Sequence, residues 1–246
     1  MYKKSIYKIV ANEPLTRDVW RMVLEGDTQW ISHSGQFVNI ELEGLYLRRP
    51  ISICDWDDRS ITLIYKVVGR GTEQMRKMQA GECLDVLTGL GNGFNEDVEC
   101  ERPLLVGGGV GVPPLYHLAK ELIARGRKVS VVLGFNAASE VFYAEEFRAL
   151  GAEVFVSTVD GSVGVKGFVT DAIREAAIDF DYFYSCGPLP MLKALCGATD
   201  VDGELSFEER MGCGFGACMG CSCKTLTGNK RICKEGPVMK RGEIIW

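Results

Sequence analysis

Cysteines at 213, 218, 221 and 233 follow the pattern Cys-x4-Cys-x2-Cys, then eleven residues, then Cys. Glycines at 212, 214, 216 and 220 are interleaved with them. Nothing else in the chain constrains its fold as tightly, because thiols that converge on one centre dictate where the backbone must turn. A loop that wraps such a centre needs positive φ angles and lets backbone N–H groups approach the sulfurs closely. The first two spacings match the plant-type pattern that holds a 2Fe-2S cluster, with a distant cysteine closing it. Structural zinc is the alternative. It usually draws on cysteine pairs two to four residues apart, a format that the third close cysteine and the unpaired fourth fit poorly. Cys223 exceeds the four-ligand count and reads either as a packed free thiol or as a further ligand.

Composition narrows the setting. The chain has 246 residues and ten cysteines, and only two histidines, His33 and His117, so a histidine-rich metal site is excluded by supply. The opening residues reach charged and polar side chains before any apolar run of signal-peptide length, and no apolar stretch is long enough to span a bilayer. The expectation is a cytoplasmic protein with no membrane association. Thiols in that compartment stay reduced, so the cysteines serve a metal or redox role rather than a disulfide framework. A formal charge of −5, with lysine and arginine scattered, excludes the basic patch that nucleic-acid binding requires.

Two grammars divide the rest. Through the first hundred residues, "VWRMVLEG", "GQFVNIEL", "SITLIYKVV" and "CLDVL" are short runs rich in branched and aromatic residues, set apart by Gly, Asp and Asn, as in an antiparallel barrel. "TEQMRKMQAG" predicts a helix that starts at Thr72 and stops at Gly81. From about residue 102 strands alternate with helices: "RPLLVGGGVGVPPLYHLAKELIARG", "KVSVVLGF", "YAEEFRAL", "EVFVSTVD", "VTDAIREAA" and "FDYFYSCGP". That alternation predicts a parallel sheet covered on both faces. The fold class is therefore α+β multidomain: an antiparallel β-barrel over 1–98, an α/β parallel-sheet nucleotide domain over 99–204 and a small C-terminal 2Fe-2S domain over 205–246.

The turn "GGGVGVPPL" follows an apolar strand and opens a helix, so Gly107, Gly108, Gly109 and Gly111 are candidates to bring backbone N–H groups up to a pyrophosphate. Its spacing departs from the usual dinucleotide fingerprint, and a purely structural turn is the other reading. "YSCGPLPM" ends another strand of the same sheet, which brings Cys186 and Gly187 to the same crevice. Cys186 is a candidate neighbour of a nicotinamide ring, or a packing cysteine. No arginine pair stands in "GFNAASEVF", which favours NAD over NADP.

Taken in order, "GQFVNI", "RRPISI", "YKVVGRGTEQM", "GGGVGVPPL" and "CGPLPM" resemble the ferredoxin-NADP reductase superfamily. With "ERMGCGFGACMGCSCK" and "CKEGPV" behind them, the whole chain resembles the electron-transfer subunits of type 1B dihydroorotate dehydrogenase. The resemblance implies an FAD site in which Arg49 pairs with the pyrophosphate and Pro50, Ile51 and Ser52 line the isoalloxazine. It further implies flavin contacts from Ile64, Tyr65 and Lys66, phosphate contacts from Gly71 and Thr72, and cluster ligation by Cys213, Cys218, Cys221 and Cys233. It also implies a partner, an FMN-containing catalytic subunit that oxidises dihydroorotate, in a heterotetramer of two of each. NAD is then the terminal acceptor, FAD linking its two-electron chemistry to the one-electron cluster. Similar small subunits serve glutamate-synthase-like and ferredoxin:NADP transhydrogenase complexes. A free-standing reductase and a zinc-binding interaction module are the remaining alternatives.

Overall fold

The computed structural model describes residues 2–246. The chain opens with β1 (Lys3–Pro14), a long strand that its run of lysines hides from a reading by hydrophobicity. Tyr7 and Ile9 alternate inward and are fully buried while the lysines face solvent. Then follow β2 (Val19–Glu25), β3 (Phe37–Ile40), β4 (Arg49–Trp56), β5 (Ser60–Lys66), helix α1 (Arg70–Met75) and β6 (Cys83–Leu90). These strands close into a barrel in the order β1-β2-β5-β4-β3-β6, with every neighbouring pair antiparallel. Closure leaves no edge strand to pair with other chains. The interior is filled by Met22, Leu24, Val38, Ile40, Leu63 and Val86, each with no exposed surface.

Helix α1 is shorter than the sequence predicts and is displaced from its expected start. Gly69 is its N-cap, and Thr72 sits one turn in, its Oγ1 accepting from the Val68 and Gly69 N–H groups at 3.0 and 3.3 Å.

The second half begins with β7 (Pro103–Gly108), α2 (Tyr116–Ala124), β8 (Ser130–Phe135), α3 (Ala144–Ala149), β9 (Glu153–Thr158), β10 (Val165–Lys166), α4 (Val169–Glu175), β11 (Tyr182–Cys186), α5 (Leu189–Ala198) and β12 (Gly203–Ser206). Successive residues of β7 point to opposite faces. Leu105 packs with Leu118 and Leu122 of α2 and Phe147 of α3, whereas Leu104 and Val106 pack with Ala172 of α4 and Leu192 and Leu195 of α5. This is the doubly covered sheet that the alternating pattern predicts.

The tail adds β13 (Ser222–Thr225) and β14 (Gly228–Arg231), paired with each other, and β15 (Val238–Lys240). The sheet order is β10-β9-β8-β7-β11-β12-β15, the last strand running antiparallel to β12. Thus a strand from within the stretch expected for the cluster segment, 205–246, joins the nucleotide sheet. An apolar cluster of Phe37, Leu87 and Leu90 from the barrel with Cys221, Ile232, Cys233 and Met239 seals the tail to the first half.

Candidate functional site

The four cysteines at the expected ligand positions lie together at the foot of the barrel. Cys221 and Cys233 are buried, each 2% exposed, whereas Cys218 is exposed and Cys213 lies between these extremes. The sulfurs face backbone N–H groups: Ala217 N donates to Cys213 Sγ at 3.2 Å and Cys233 N to Cys221 Sγ at 3.4 Å. Burial pushes the Cys213 thiol up, but N–H groups of Cys218, Phe215 and Ala217 together outweigh it and bring the thiol down to about 6. Cys233 moves the other way, to about 12, through burial and then the neighbouring sulfurs of Cys221 and Cys213. Four cysteine thiols with backbone N–H donors at their sulfurs fit a 2Fe-2S cluster in donor type and number. The loop is braced from outside by Arg231, which donates to the Gly216 carbonyl at 2.5 Å while pairing with Glu235. Cys223 lies on β13, half-buried beside the same apolar cluster.

On the barrel, Arg49, Pro50, Ile51 and Ser52 are half-buried on a strand whose next two residues, Ile53 and Cys54, are fully enclosed. Ile51 and Ile53 pack toward the barrel interior, whereas Cys54 packs with the nucleotide half. The Arg49 side chain crosses the backbone of Gly71, where an added Cβ would lie 2.1 Å from Arg49 Nε. Gly71 is the bare floor under that guanidinium. Of the three expected residues on β5, Ile64 is buried among the residues that join the barrel to the nucleotide half, and Lys66 Nζ pairs with Asp18 at 3.0 Å. The side chain of Tyr65 is not available to a flavin. It is 2% exposed, and its hydroxyl donates to Asn12 Oδ1 at 2.9 Å inside the barrel, because the strand period turns it inward. The Thr72 hydroxyl is likewise engaged by its own turn.

The two glycine turns of the sheet stand side by side at the carboxyl ends of β7 and β11, with Cys186 paired to Gly107. A Cβ on Gly111 would come within 2.2 Å of the Cys186 carbonyl oxygen, and one on Gly108 within 2.6 Å of Met191 Sδ. Gly107 and Gly187 are closed in by Val112 and by Met191 and Gly108. Only Gly109, with φ +53°, has nothing within 4 Å of where a side chain would be. That position faces the crevice. Burial pushes the Cys186 thiol up to about 12 despite the Ser206 hydroxyl beside it, so at neutral pH it is a thiol rather than a thiolate.

Two features escaped the sequence reading. Asp55, on the flavin strand β4, bonds His117 Nδ1 at 2.6 Å and Lys120 Nζ at 3.2 Å, both on α2, while Trp56 stacks on the His117 ring at a centroid distance of 3.5 Å. Burial pushes the Asp55 carboxyl up, but the His117 and Lys120 contacts outweigh it and hold it below its ordinary range. This contact orients the nucleotide sheet against the barrel. Asn39 is the second: a 1% exposed amide in an otherwise apolar strand whose Nδ2 donates to the Cys213 carbonyl at 3.1 Å. The polar residue interrupting "FVNI" was its sequence signal.

Comparison with known proteins follows the same division. The model for the iron-sulfur cluster binding domain of dihydroorotate dehydrogenase B matches residues 208–245, and that for the oxidoreductase NAD-binding domain matches 105–197. The dihydroorotate dehydrogenase B (NAD(+)) electron transfer subunit of Geobacillus sp. (strain WCH70) is 46% identical over 257 residues, covering 100% of both chains. That of Bacillus mycoides (strain KBAB4) is 45% identical over 259 residues, again covering 100% of both. Among solved structures, an NADH-dependent reduced ferredoxin-NADP oxidoreductase studied for flavin-based electron bifurcation aligns with a TM-score of 0.89 at 29% identity, over 98% of this chain and 90% of that one. A ferredoxin NADP+ reductase from Neisseria gonorrhoeae with bound FAD and NADP aligns at 0.70 with 16% identity, over 80% of this chain and 90% of that one, a likeness of fold alone.

Proposed function

Because this chain belongs to the electron transfer subunits of dihydroorotate dehydrogenase B, we propose that it carries electrons from a dihydroorotate-oxidising subunit to NAD+ through a 2Fe-2S cluster and FAD. The observation that carries this reading is a strand order. Strand β3 pairs with β4, Phe37 standing opposite Ser52, and the same Phe37 packs in the apolar cluster that holds Cys221 and Cys233. A single strand thus links the flavin segment to the cysteine loop.

FAD, when bound, supplies exchange between two-electron hydride chemistry and one-electron transfer. The chain's own residues prepare that site. Arg49, lying over Gly71, is set to pair with the pyrophosphate, and the half-buried stretch Pro50, Ile51 and Ser52 lines the ring. Gly109 leaves room at the sheet crevice for the dinucleotide, and Gly107, Gly108, Gly111, Cys186 and Gly187 hold the two turns around it. Helix α1, at six residues, contributes little dipole; Gly71 acts by absence of bulk and Thr72 by fixing the turn. Cys213, Cys218, Cys221 and Cys233 would hold the 2Fe-2S cluster, which would supply one-electron transfer beside the flavin, and their spacing favours it over zinc. Cys223 remains a free packing thiol.

The partner in this reading is an FMN-containing catalytic subunit, in a heterotetramer of two of each, working in pyrimidine biosynthesis in the cytoplasm. Among the described residues no helix is long and apolar enough to cross a membrane. The cluster edge exposed at Cys218 is where that subunit docks. NAD, rather than NADP, is the acceptor, since no arginine pair stands at the end of β8 to meet a 2′-phosphate. The test is affinity purification from the native cell under anaerobic conditions. A co-purifying FMN chain and dihydroorotate-dependent NAD+ reduction, with NADH-dependent dye reduction by this chain alone, are expected. A complex that instead couples NADH, NADP and ferredoxin would replace the substrate assignment while leaving the cofactor reading intact.

A further inference from the structure

On β3 the side chains of Val38 and Ile40 face the barrel interior, while Phe37 and Asn39 face the cysteine loop. Asn39 is 1% exposed, and the two ends of its amide fare differently. Nδ2 donates to the Cys213 carbonyl at 3.1 Å, whereas Oδ1 is enclosed with no hydrogen-bond partner among the described residues. An unmet buried acceptor is costly, and asparagine is also a poor strand former. As a purely structural choice this residue is a bad one. Its surroundings are also tight: a Cβ on Gly214 would lie 2.4 Å from Nδ2, so the loop backbone rests directly on the amide. Its main-chain carbonyl accepts from Arg48 Nη1 at 3.2 Å, next to the flavin arginine, and Asn39 stands opposite Pro50 in the register.

We propose that Asn39 is a positioning residue that ties the Cys213 end of the cysteine loop to the flavin barrel and thereby sets the reduction potential of the cluster. The inference rests on the cluster reading above. Holding the Cys213 carbonyl fixes the peptide that follows it, and with it the turn whose Ala217 N–H donates to the Cys213 sulfur at 3.2 Å. Hydrogen bonds to ligand sulfurs are among the principal levers on the potential of an iron-sulfur centre. Releasing the carbonyl lets that turn reorient. Asn39→Ala removes the tether, and Asn39→Asp keeps the shape but sets a carboxylate oxygen against the Cys213 carbonyl.

The test uses the full chain, purified anaerobically, with iron, sulfide and FAD content measured before an EPR-monitored redox titration. Both variants are expected to retain FAD, and the cluster's reduction equilibrium should move at least about twofold in Asn39→Ala and about tenfold toward the oxidised form in Asn39→Asp. For one electron a decade is about 59 mV. Altered g-values of the reduced cluster should accompany the shift, a signature that a residue serving only fold stability would not move. Loss of iron from Asn39→Ala with FAD kept and an unchanged melting temperature supports the tether by a harsher route. Two loaded variants with wild-type potential and g-values overturn it, and so does joint loss of FAD and iron from both, which would make Asn39 merely part of the barrel. Wild-type protein that binds no iron fails the cluster reading itself, a result distinct from either.

Discussion

Two of the chain's glycine-rich turns, at 107–111 and at 212–220, use glycine for opposite reasons. At Gly111 the backbone of Cys186 lies where a side chain would have to go, so glycine is there because matter is close. At Gly214 the backbone itself demands it, with φ +80°, before the contact with Asn39 is counted. The first turn is a packed joint between β7 and β11. The second is a cup shaped by dihedral angles and lined with sulfur. Similar composition therefore encodes a rigid floor in one place and a donor cage in the other.

The largest expected effect separates cage from scaffold. Cys218 is exposed, so Cys218→Ser removes a donor without touching the core, and it should abolish the cluster's EPR signal while FAD content stays near wild type. Retained iron would break the contrast at its root. Gly111→Ala tests the packed joint: overpacking against a peptide costs about 3 kcal/mol, read as a lower unfolding midpoint, with NADH oxidation lost and iron retained. Gly214→Ala should cost about 2 kcal/mol from the left-handed backbone and the crowding of Asn39, and alter the cluster's g-values while NADH still reduces the flavin. The smallest effect belongs to Gly109→Ala, where open space leaves only the φ penalty of about 1 kcal/mol. Its signature is an elevated KM for NADH with unchanged iron, and a larger stability loss there than at Gly111 would reverse the assignment of strain and packing.

Where the sequence was readable, the reason was local. The cysteine spacing and the alternation of strands and helices after residue 102 are each written in consecutive residues. What escaped is written across distance. Strand β1 looked polar because its inward residues, Tyr7 and Ile9, are diluted by outward lysines, and only the closed barrel reveals which face matters. The Asp55–His117 contact and the Asn39–Cys213 bond join residues far apart in the chain, and neither partner advertises the other. Tyr65 was placed by its motif at the flavin, yet the two-residue period of its strand turns its ring into the barrel.

The cysteine segment leaves the central sheet at Ser206 and returns to it at Val238, where β12 and β15 are hydrogen-bonded neighbours. Both ends of the excursion are thus clamped by main-chain ladder bonds that involve no thiol. Metal capture does not have to gather a dangling tail, since most of the entropy of closing that loop is spent when the sheet forms. The segment's ends are held without metal, so the apoprotein should fold first and be a competent receiver for cluster transfer rather than a chain waiting for metal in order to fold.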